Sequence, residues 1–253
     1  MKSRARLLLA ACCSLLALSG CGGGEATTAA TSSTAATTTE AATTTATERS
    51  TAPAKPPEQP TLVAALGDSI TAGSPLYDPD PAVRRRIGPA LDERSQFEYW
   101  ASKDDPSLEF RNCGVFGERT DQIALRLDDC ATGADALIVQ GGINDVAQGR
   151  SVQKAAGDLR EMVQRGKELG LPVALTDVLP WNNGYPAANG PIAQLNRLIE
   201  RIGAEEEVPV LPFHDTLEDP AVPGVMRTEL TIDGDHPSVA GYRLLAERAF
   251  ELP

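Results

Sequence analysis

The chain of 253 residues is short of basic residues, histidine and aromatic residues. It carries 23 Lys and Arg against 35 Asp and Glu, which gives a formal net charge of −12. No basic stripe interrupts this acidity, so the composition argues against a nucleic acid as a partner. The two histidines and five cysteines show no spacing typical of metal ligands. We therefore expect no metal and no other cofactor.

A long apolar run is absent as well. The longest one, Leu7 to Leu18, is shorter than the about 20 residues that cross a bilayer. It follows three cations, so residues 1–20 are interpreted as a signal peptide. The tetrad Leu18-Ser19-Gly20-Cys21 resembles the bacterial lipobox, which implies cleavage before Cys21 and lipidation of its thiol. The alternative is an ordinary signal peptide with an incidental cysteine.

The next segment has no apolar periodicity. Residues 22–60 are rich in Thr and Ala, and then in Pro, and such a segment cannot bury enough apolar surface to become ordered. We therefore predict a disordered linker, suited to O-glycosylation, over residues 21–60 and one folded domain over residues 61–253. As a random coil the linker would reach roughly 35 Å. The predicted location is extracytoplasmic, on a lipid anchor at the cell surface or in the periplasm.

Few cysteines remain for the domain. Cys12 and Cys13 would leave with the signal peptide, and Cys21 is the predicted lipid site. Cys113 and Cys130 are then the last two, and in an oxidising compartment we predict a disulfide between them. The alternative is a pair of buried free thiols.

From residue 61 onward, short apolar runs alternate with segments of helical periodicity. The pattern predicts strands over 61–66, 108–111, 136–139, 172–176 and 208–211. It predicts helices over 84–103, 118–129, 151–170, 191–203 and 237–250, the first interrupted by Gly88-Pro89 and the third capped by Ser151. This alternation is typical of a three-layer α/β domain with a mostly parallel sheet.

Four polar segments lie at or just after predicted strand ends, or just before the last helix. They are Gly67-Asp68-Ser69-Ile70, Asn112-Cys113-Gly114, Gly141-Gly142-Ile143-Asn144-Asp145 and Asp233-Gly234-Asp235-His236. The carboxyl ends of parallel strands share one edge of a sheet, so we expect these segments to form a single site there. Each segment alone could be an ordinary turn.

A serine at a strand end is a candidate nucleophile, but it needs a base. The only choices are His214, which follows the fifth predicted strand, and His236. The spacing of Asp233 and His236 would let one turn present an imidazole to Ser69 and a carboxylate to the other ring nitrogen. Asp235 is the weaker partner, because adjacent side chains usually point apart. We therefore favour His236 as the base and interpret His214 as structural.

An oxyanion would also need hydrogen-bond donors. The candidates are the backbone amides of Ser69 and Gly114 and the side-chain amide of Asn144. Gly114 could alternatively serve only a turn, and Asn144 could bond its own backbone.

The ordered set of segments resembles the SGNH, or GDSL-type, hydrolase superfamily over residues 61–253. Gly67-Asp68-Ser69-Ile70 is similar to its serine block, Gly114 to its glycine block, Gly142-Ile143-Asn144-Asp145 to its asparagine block, and Asp233 to His236 to its Asp-x-x-His block. The serine block departs from the name-giving motif by Ile in place of Leu.

The resemblance implies a flavodoxin-like, five-stranded parallel sheet. It also implies a catalytic triad of Ser69, His236 and Asp233, and an oxyanion hole from Ser69, Gly114 and Asn144. The implied reaction is ester hydrolysis through an acyl-enzyme.

The substrate is less constrained. The rim is predicted at Trp181 to Tyr185 and at 74–103, and we favour short-acyl or carbohydrate O-acyl esters. The alternatives are a lysophospholipase or thioesterase acting on longer chains, an acyltransferase, or a non-catalytic glycan-binding surface lipoprotein. The expected partners are a small-molecule, glycan or lipid ester and, through the anchor, a membrane, with the protein as a monomer.

Overall fold

Five parallel strands form the central sheet of the computed structural model, which describes residues 59–253. The strands are β1 (Thr61–Gly67), β2 (Leu108–Gly114), β3 (Ala136–Val139), β4 (Val173–Thr176) and β5 (Val210–Leu211). Their order is β2-β1-β3-β4-β5, and every neighbouring pair is parallel. The predicted five-stranded, flavodoxin-like sheet is confirmed. The predicted signal peptide, Cys21 and residues 22–58 of the linker lie outside the described residues.

Ten α-helices occur within residues 59–253. They are α1 (Ser69–Ala72), α2 (Pro81–Ile87), α3 (Phe97–Asp104), α4 (Thr120–Ala124), α5 (Leu127–Ala131), α6 (Ile143–Ala147), α7 (Val152–Glu168), α8 (Asn189–Glu206), α9 (Phe213–Leu217) and α10 (Val239–Arg248). In addition, β6 (Glu218–Asp219) and β7 (Val222–Met226) form an antiparallel hairpin that the sequence pattern did not predict. None of these helices has the length and apolarity needed to cross a membrane.

The strand β1 shows why the domain has three layers. Its residues alternate between the two faces of the sheet, as any strand's must, and both faces are buried. Ala64 and Leu66 belong to the apolar core on the side of α7 and α8. Val63 and Ala65 belong to the core on the side of α3 and α10. The α/β/α layering therefore follows from a strand that is apolar on both sides.

Three helix predictions need correction. The helix predicted over 118–129 is divided into α4 and α5, and Arg126 lies at the break. Its guanidinium donates to the carbonyl oxygens of Cys113 and Gly67 and pairs with Glu118. At α7, Ser151 occupies the N-cap position, but its Oγ bonds Gln153 and makes no capping hydrogen bond.

The last helix begins two residues later than predicted. Pro237 forms an isolated antiparallel bridge with Thr231, so the helix starts at Val239. Ser238 is its N-cap, and its Oγ accepts a hydrogen bond from the amide of Gly241.

The structure joins Cys113 to Cys130, as predicted. The bridge links the end of β2 to α5, and both elements lie beside β1. The disulfide therefore fastens the edge strand next to the polar ends of the sheet.

Candidate active site

The turn after β1 fixes the position of Ser69. Asp68 is the N-cap of α1, and its Oδ1 accepts a hydrogen bond of 2.9 Å from the amide of Ile70. The side chain of Gln140 accepts from the amides of Asp68 and Thr71 and from the Thr71 hydroxyl. A Cβ at Gly67 would lie 2.5 Å from Gln140 Oε1, so only glycine leaves room for this bracing. Ser69 is thus held rigidly at the carboxyl edge of the sheet.

The turn before α10 brings a base to this serine. The Nε2 atom of His236 lies 3.1 Å from Ser69 Oγ, and its Nδ1 lies 2.8 Å from Asp233 Oδ2. Because a carboxylate accepts, Nδ1 carries the proton in the neutral ring, and Nε2 can then accept from the serine hydroxyl. Ser69 and His236 are both buried, at 5% and 8% exposure.

Asp233 is oriented by its own turn. Its Oδ1 accepts hydrogen bonds from the amides of Asp235 and His236, at 2.9 and 2.8 Å. Partial burial by itself would raise the pKa of Asp233, but the hydrogen bonds from the His236 ring and from the two amides outweigh it and lower the pKa. The carboxylate therefore stays charged beside the imidazole.

Between these residues, Gly234 adopts φ +89°, a left-handed conformation that favours glycine. The predicted i, i+3 spacing of Asp233 and His236 thus corresponds to one tight turn with both groups on the same side.

The other histidine lies elsewhere. His214 is on α9, its amide donates to Asp177 Oδ1, and its ring faces Asp215 and Glu218. It takes no part in the cleft at Ser69. The structure therefore brings His236, and not His214, to the serine.

A second segment braces the Asp233–His236 turn. Trp181 Nε1 donates to Asp235 Oδ1 at 2.5 Å, and Asn183 Nδ2 donates to the same oxygen at 2.7 Å and to the Asp233 carbonyl at 2.9 Å. The predicted rim at Trp181 to Tyr185 therefore has a further role. It connects the Asp233–His236 turn to the loop after β4.

Gly114, predicted as an oxyanion donor, does not line the cleft at Ser69, and its amide is engaged elsewhere. Strand β2 is longer than predicted and ends at Gly114 itself. The Gly114 amide donates to Asn112 Oδ1 at 2.9 Å, and a Cβ there would lie 2.1 Å from the Ala72 nitrogen. This glycine allows β2 to pack closely against α1.

The turn that follows β2 contains the feature that the sequence pattern missed. Phe116 stacks on the His236 ring with 6.1 Å between centroids, and the Glu118 carbonyl accepts from Asn144. Gly117, between them, has φ +79°, and its amide has no acceptor among residues 59–253. The second glycine of Gly114-Val115-Phe116-Gly117 could have indicated this turn. The predicted strand ended too early, however, and so placed the turn before Gly117.

Asn144 lies near the N-terminus of α6, and its side chain lines the cleft. Its Nδ2 donates to the Glu118 carbonyl at 3.0 Å and to Asp68 Oδ2 at 3.3 Å. Burial raises the pKa of Asp68 to about 6, although the hydrogen bond from Ile70 opposes this. The amide of Ser69 has no acceptor among the described residues. Two of the three predicted oxyanion donors thus face the cleft.

A buried ionic network fixes α6. Asp145 is fully buried and accepts from the amide of Thr120 at 2.9 Å and from Arg150 Nη1 at 2.6 Å. Arg150 also pairs with Asp158 on α7. Since Asp145 directly follows Asn144, this network holds the asparagine in place. A buried charge without these partners would be strongly destabilising.

Two groups of side chains among residues 59–253 have the composition of metal ligands. They are His214 with Asp215 and Glu218, and Asp233 with Asp235 and His236. In the second group the carboxylates of Asp233 and Asp235 are already engaged by the hydrogen bonds described above. These hydrogen bonds suit a His236–Asp233 pair that acts in acid–base chemistry.

The cleft around Ser69 is small, at about 160 Å³. Its polar lining residues are Ser69, Asn144, Asp235 and His236, and the other walls are formed by Ile70, Phe116, Ile143, Ala147 and Trp181. A serine hydroxyl with an imidazole and a carboxylate behind it can attack a carbonyl carbon. Fold and site together are those expected of a hydrolase.

Comparison with known proteins agrees with this description. Residues 65–244 match the model of the GDSL-like lipase/acylhydrolase family, and the chain belongs to that family. No curated protein sequence shows a significant match.

Three solved structures share the fold. A protein assigned to the lipolytic G-D-S-L family from Desulfitobacterium hafniense is 20% identical, with a TM-score of 0.62, covering 75% of this chain and 97% of its own. A GDSL-like lipase from Bacteroides thetaiotaomicron is 21% identical, with a TM-score of 0.58 and coverages of 76% and 88%. An acetylxylan esterase from Geobacillus stearothermophilus is 20% identical, with a TM-score of 0.57 and coverages of 75% and 93%.

Proposed function

We propose that the protein is a serine carboxylic ester hydrolase with Ser69 as nucleophile, His236 as general base and Asp233 as the residue that orients it. The observation that carries the proposal is the hydrogen-bonded chain from Ser69 Oγ to His236 Nε2, at 3.1 Å, and from His236 Nδ1 to Asp233 Oδ2, at 2.8 Å. Membership of an acylhydrolase family supports the same reaction class.

The reaction proceeds in two acyl transfers. Ser69 Oγ attacks the ester carbonyl carbon while His236 Nε2 takes the hydroxyl proton, and His236 then gives this proton to the leaving alcohol. Water, deprotonated by His236, attacks the acyl-enzyme, and the acid leaves as Ser69 recovers its proton. Asp233 stabilises the imidazolium in both halves, because its lowered pKa keeps it ionised.

The oxyanion is placed against the Ser69 amide and the Asn144 side chain. Asn144 reaches it by releasing the longer of its two hydrogen bonds, the one of 3.3 Å to Asp68. Gly117 replaces Gly114 as the third donor, because its amide is unpaired among the described residues and its neighbours contact His236 and Asn144. Such donors act on the charge that develops in the transition state.

The cleft favours a short acyl group. A volume of about 160 Å³ lined in part by apolar side chains accommodates an acetyl or similar chain, and longer acyl chains would have to extend outside it. Phe116 is 66% exposed beside His236 and offers a ring on which a sugar could stack. We therefore retain short-acyl and carbohydrate O-acyl esters as the substrate class, a choice that the acetylxylan esterase of similar fold also supports.

The test compares matched variants on p-nitrophenyl acetate, butyrate and octanoate. We expect wild type to prefer acetate, and Ser69→Ala and His236→Ala to lose turnover by on the order of 10⁴ or more. Asn144→Ala should lose about 10²–10³ in kcat. His214→Ala is the control, because this histidine lies outside the cleft, and it should keep wild-type turnover.

A fluorophosphonate probe gives an independent readout, with labelling of Ser69 expected in wild type only. Unlabelled wild-type protein, or Ser69→Ala with wild-type turnover, would refute the proposed function. A preference for octanoate would leave the triad in place and overturn the short-acyl assignment.

We further propose that the enzyme works outside the cytoplasm on a lipid anchor at Cys21. The support comes from the signal-like residues 1–20, the lipobox-like tetrad and the Thr/Ala/Pro-rich segment that follows. The disulfide between Cys113 and Cys130 is in keeping with an oxidising compartment.

A further inference from the structure

The helix that carries Ser69 has only one turn, and both of its ends need partners from elsewhere in the fold. Helix α1 comprises Ser69–Ala72, and so short a helix leaves nearly all of its amides and carbonyls without a helical hydrogen bond. All four of its residues are buried, so bulk water does not reach these groups. Their hydrogen-bond partners therefore come from other parts of the chain.

The amide end of α1 is satisfied with one exception. The amides of the second, third and fourth residues of α1 all have acceptors, which Asp68 and Gln140 supply. The Ser69 amide has no acceptor among the described residues, and it is the amide that we assign to the oxyanion. The partners at this end thus hold the helix and leave that donor free.

The carbonyl end of α1 cannot be satisfied by the chain that follows it. The two amides directly after α1 both donate to the Ser69 carbonyl, so neither reaches the carbonyl of Ile70. In a longer helix the Thr71 carbonyl would accept from residue 75, but this residue is Pro75, which has no amide hydrogen. Two buried carbonyls close to the nucleophile therefore depend on distant side chains.

Tyr242 and Asn112 supply the missing donors. The Tyr242 hydroxyl donates to the Ile70 carbonyl at 2.9 Å, and Asn112 Nδ2 donates to the Thr71 carbonyl at 2.6 Å. Asn112 belongs to β2, whereas Tyr242 belongs to α10, the helix that follows the turn of His236. The Tyr242 hydroxyl is therefore a direct link between the helix of the nucleophile and the helix next to the base.

The surroundings of Tyr242 favour this bond over others. Its side chain is 0% exposed and lies in the apolar core that also contains Ile70 and Leu245. Burial raises the pKa of Tyr242 well above its ordinary value, and the charge of Glu98 adds to this, so the hydroxyl keeps its proton. Glu98, on α3, is 2% exposed, and its carboxyl oxygens have no hydrogen-bond partner among residues 59–253. The hydroxyl is nevertheless directed at α1.

We propose that Tyr242 is a positioning residue for ester hydrolysis, which holds α1 so that Ser69 Oγ stays within hydrogen-bond distance of His236 Nε2. This role rests on the proposed function. The bond fixes the carbonyl of the residue after Ser69, and the tyrosine is carried by a helix that begins three residues after His236. Without the bond a one-turn helix could shift away from the base, and small misplacements of reacting groups reduce turnover.

Tyr242→Phe removes the hydroxyl and keeps the ring. We expect kcat for p-nitrophenyl acetate to fall about tenfold per active site, with KM and the pH optimum unchanged, because Tyr242 does not line the cleft. Active sites are counted by exhaustive fluorophosphonate labelling, so a loss of folded protein lowers the number of sites and not the turnover of each. The initial rate of labelling should fall by a similar factor, because it measures attack by Ser69.

Two control variants separate positioning from stability. Leu245→Val weakens the same apolar core on the same helix and leaves the hydroxyl in place, so it should lower the Tm and keep the wild-type kcat per site. Tyr99→Phe removes the hydroxyl of a half-buried tyrosine on α3, outside the cleft, and should behave as wild type.

A kcat per site in Tyr242→Phe that stays within about twofold of wild type would overturn the positioning role. So would an equal loss of kcat per site in either control, or a rise in KM with kcat retained. A wild-type protein that neither hydrolyses the ester nor reacts with the probe would refute the proposed function itself, and this role with it.

Discussion

The aspartates of this protein differ in how strongly the fold favours their charged form. Asp233 sits in a turn that supplies three hydrogen bonds, and these lower its pKa despite partial burial. Asp68 and Asp177 are buried with fewer such bonds, and burial raises their pKa values to about 6 and about 7. The carboxylate proposed for catalysis is thus the one of these three whose pKa the fold lowers.

Asp177 gives a prediction about pH and stability. Burial raises its pKa to about 7, and the charges of Asp215 and Glu200 add to this, although hydrogen bonds from the His214 and Phe213 amides oppose it. The folded state therefore binds this proton more tightly than the unfolded state, whose pKa is about 3.8. The destabilisation caused by ionising Asp177 is absent below about pH 4 and complete above about pH 7. The free energy of unfolding should therefore fall as pH rises between these values.

Asp177→Asn keeps an acceptor for the His214 amide, 2.7 Å away, and removes the charge. We expect the variant to be more stable than wild type at pH 8, by up to about 4 kcal/mol, and little different at pH 4. Denaturant unfolding at both pH values measures this. Asp104→Asn, at the exposed end of α3, is the control. An equal effect of Asp177→Asn at both pH values would contradict the explanation.

At the scale of elements, the site depends on three turns that follow or precede regular structure. The turn after β1 carries Ser69, the turn after β2 carries Phe116 and Gly117, and the turn before α10 carries Asp233 and His236. Trp181 and Asn183 connect the last of these to the loop after β4. Relative motion of these turns would change the distance between serine and base directly.

Trp181→Phe tests this connection. The variant keeps an aromatic wall in the cleft but loses the indole donor to Asp235, while Asn183 still bonds the same carboxylate. We expect kcat for p-nitrophenyl acetate to fall about tenfold with KM nearly unchanged, since a positioning contact acts on the transition state.

The control for Trp181 is Tyr185→Phe in the same segment, where the side chain is exposed and does not line the cleft. It should behave as wild type. A rise in KM without a loss in kcat would show that Trp181 acts only as a wall for substrate.

At the scale of the whole molecule, residues 59–253 contain the hydrolase domain, and we propose that the segment before it determines where this domain works. A lipid on Cys21 followed by a linker would let the cleft reach substrates roughly 35 Å from a membrane. The acidic character of the chain, with a net charge of −12, would oppose close contact with an anionic membrane surface.

The anchor is tested by Cys21→Ser. We expect the wild-type protein to fractionate with membranes of a bacterial host and to incorporate radiolabelled palmitate, and the variant to do neither. Esterase activity of the released variant should equal that of wild type, because the substitution lies outside the hydrolase domain. Soluble wild-type protein without label would show that the signal peptide carries only an incidental cysteine.

The residue pattern was sufficient to predict the layer architecture and most residues of the candidate site. Short apolar runs that alternate with helical segments, such as Ala136–Val139, predict strands buried on both faces, and parallel strands place their carboxyl ends at one edge. Ser69, Asn144, Asp233 and His236 could be predicted from that rule together with their residue types. The pairing of Cys113 with Cys130 followed from their being the last two cysteines.

Features that depend on contacts between distant segments could not be predicted from the residue pattern. The true end of β2 follows from its pairing with β1, where Gly67 lies opposite Gly114, and this shifted the turn to Gly117. The break between α4 and α5 lies at Arg126, whose guanidinium donates to carbonyl oxygens at the ends of β1 and β2. These contacts join segments that are far apart in the sequence. The unpartnered burial of Glu98 depends on how α3 packs, because local sequence specifies a side chain's chemistry but not which neighbours surround it.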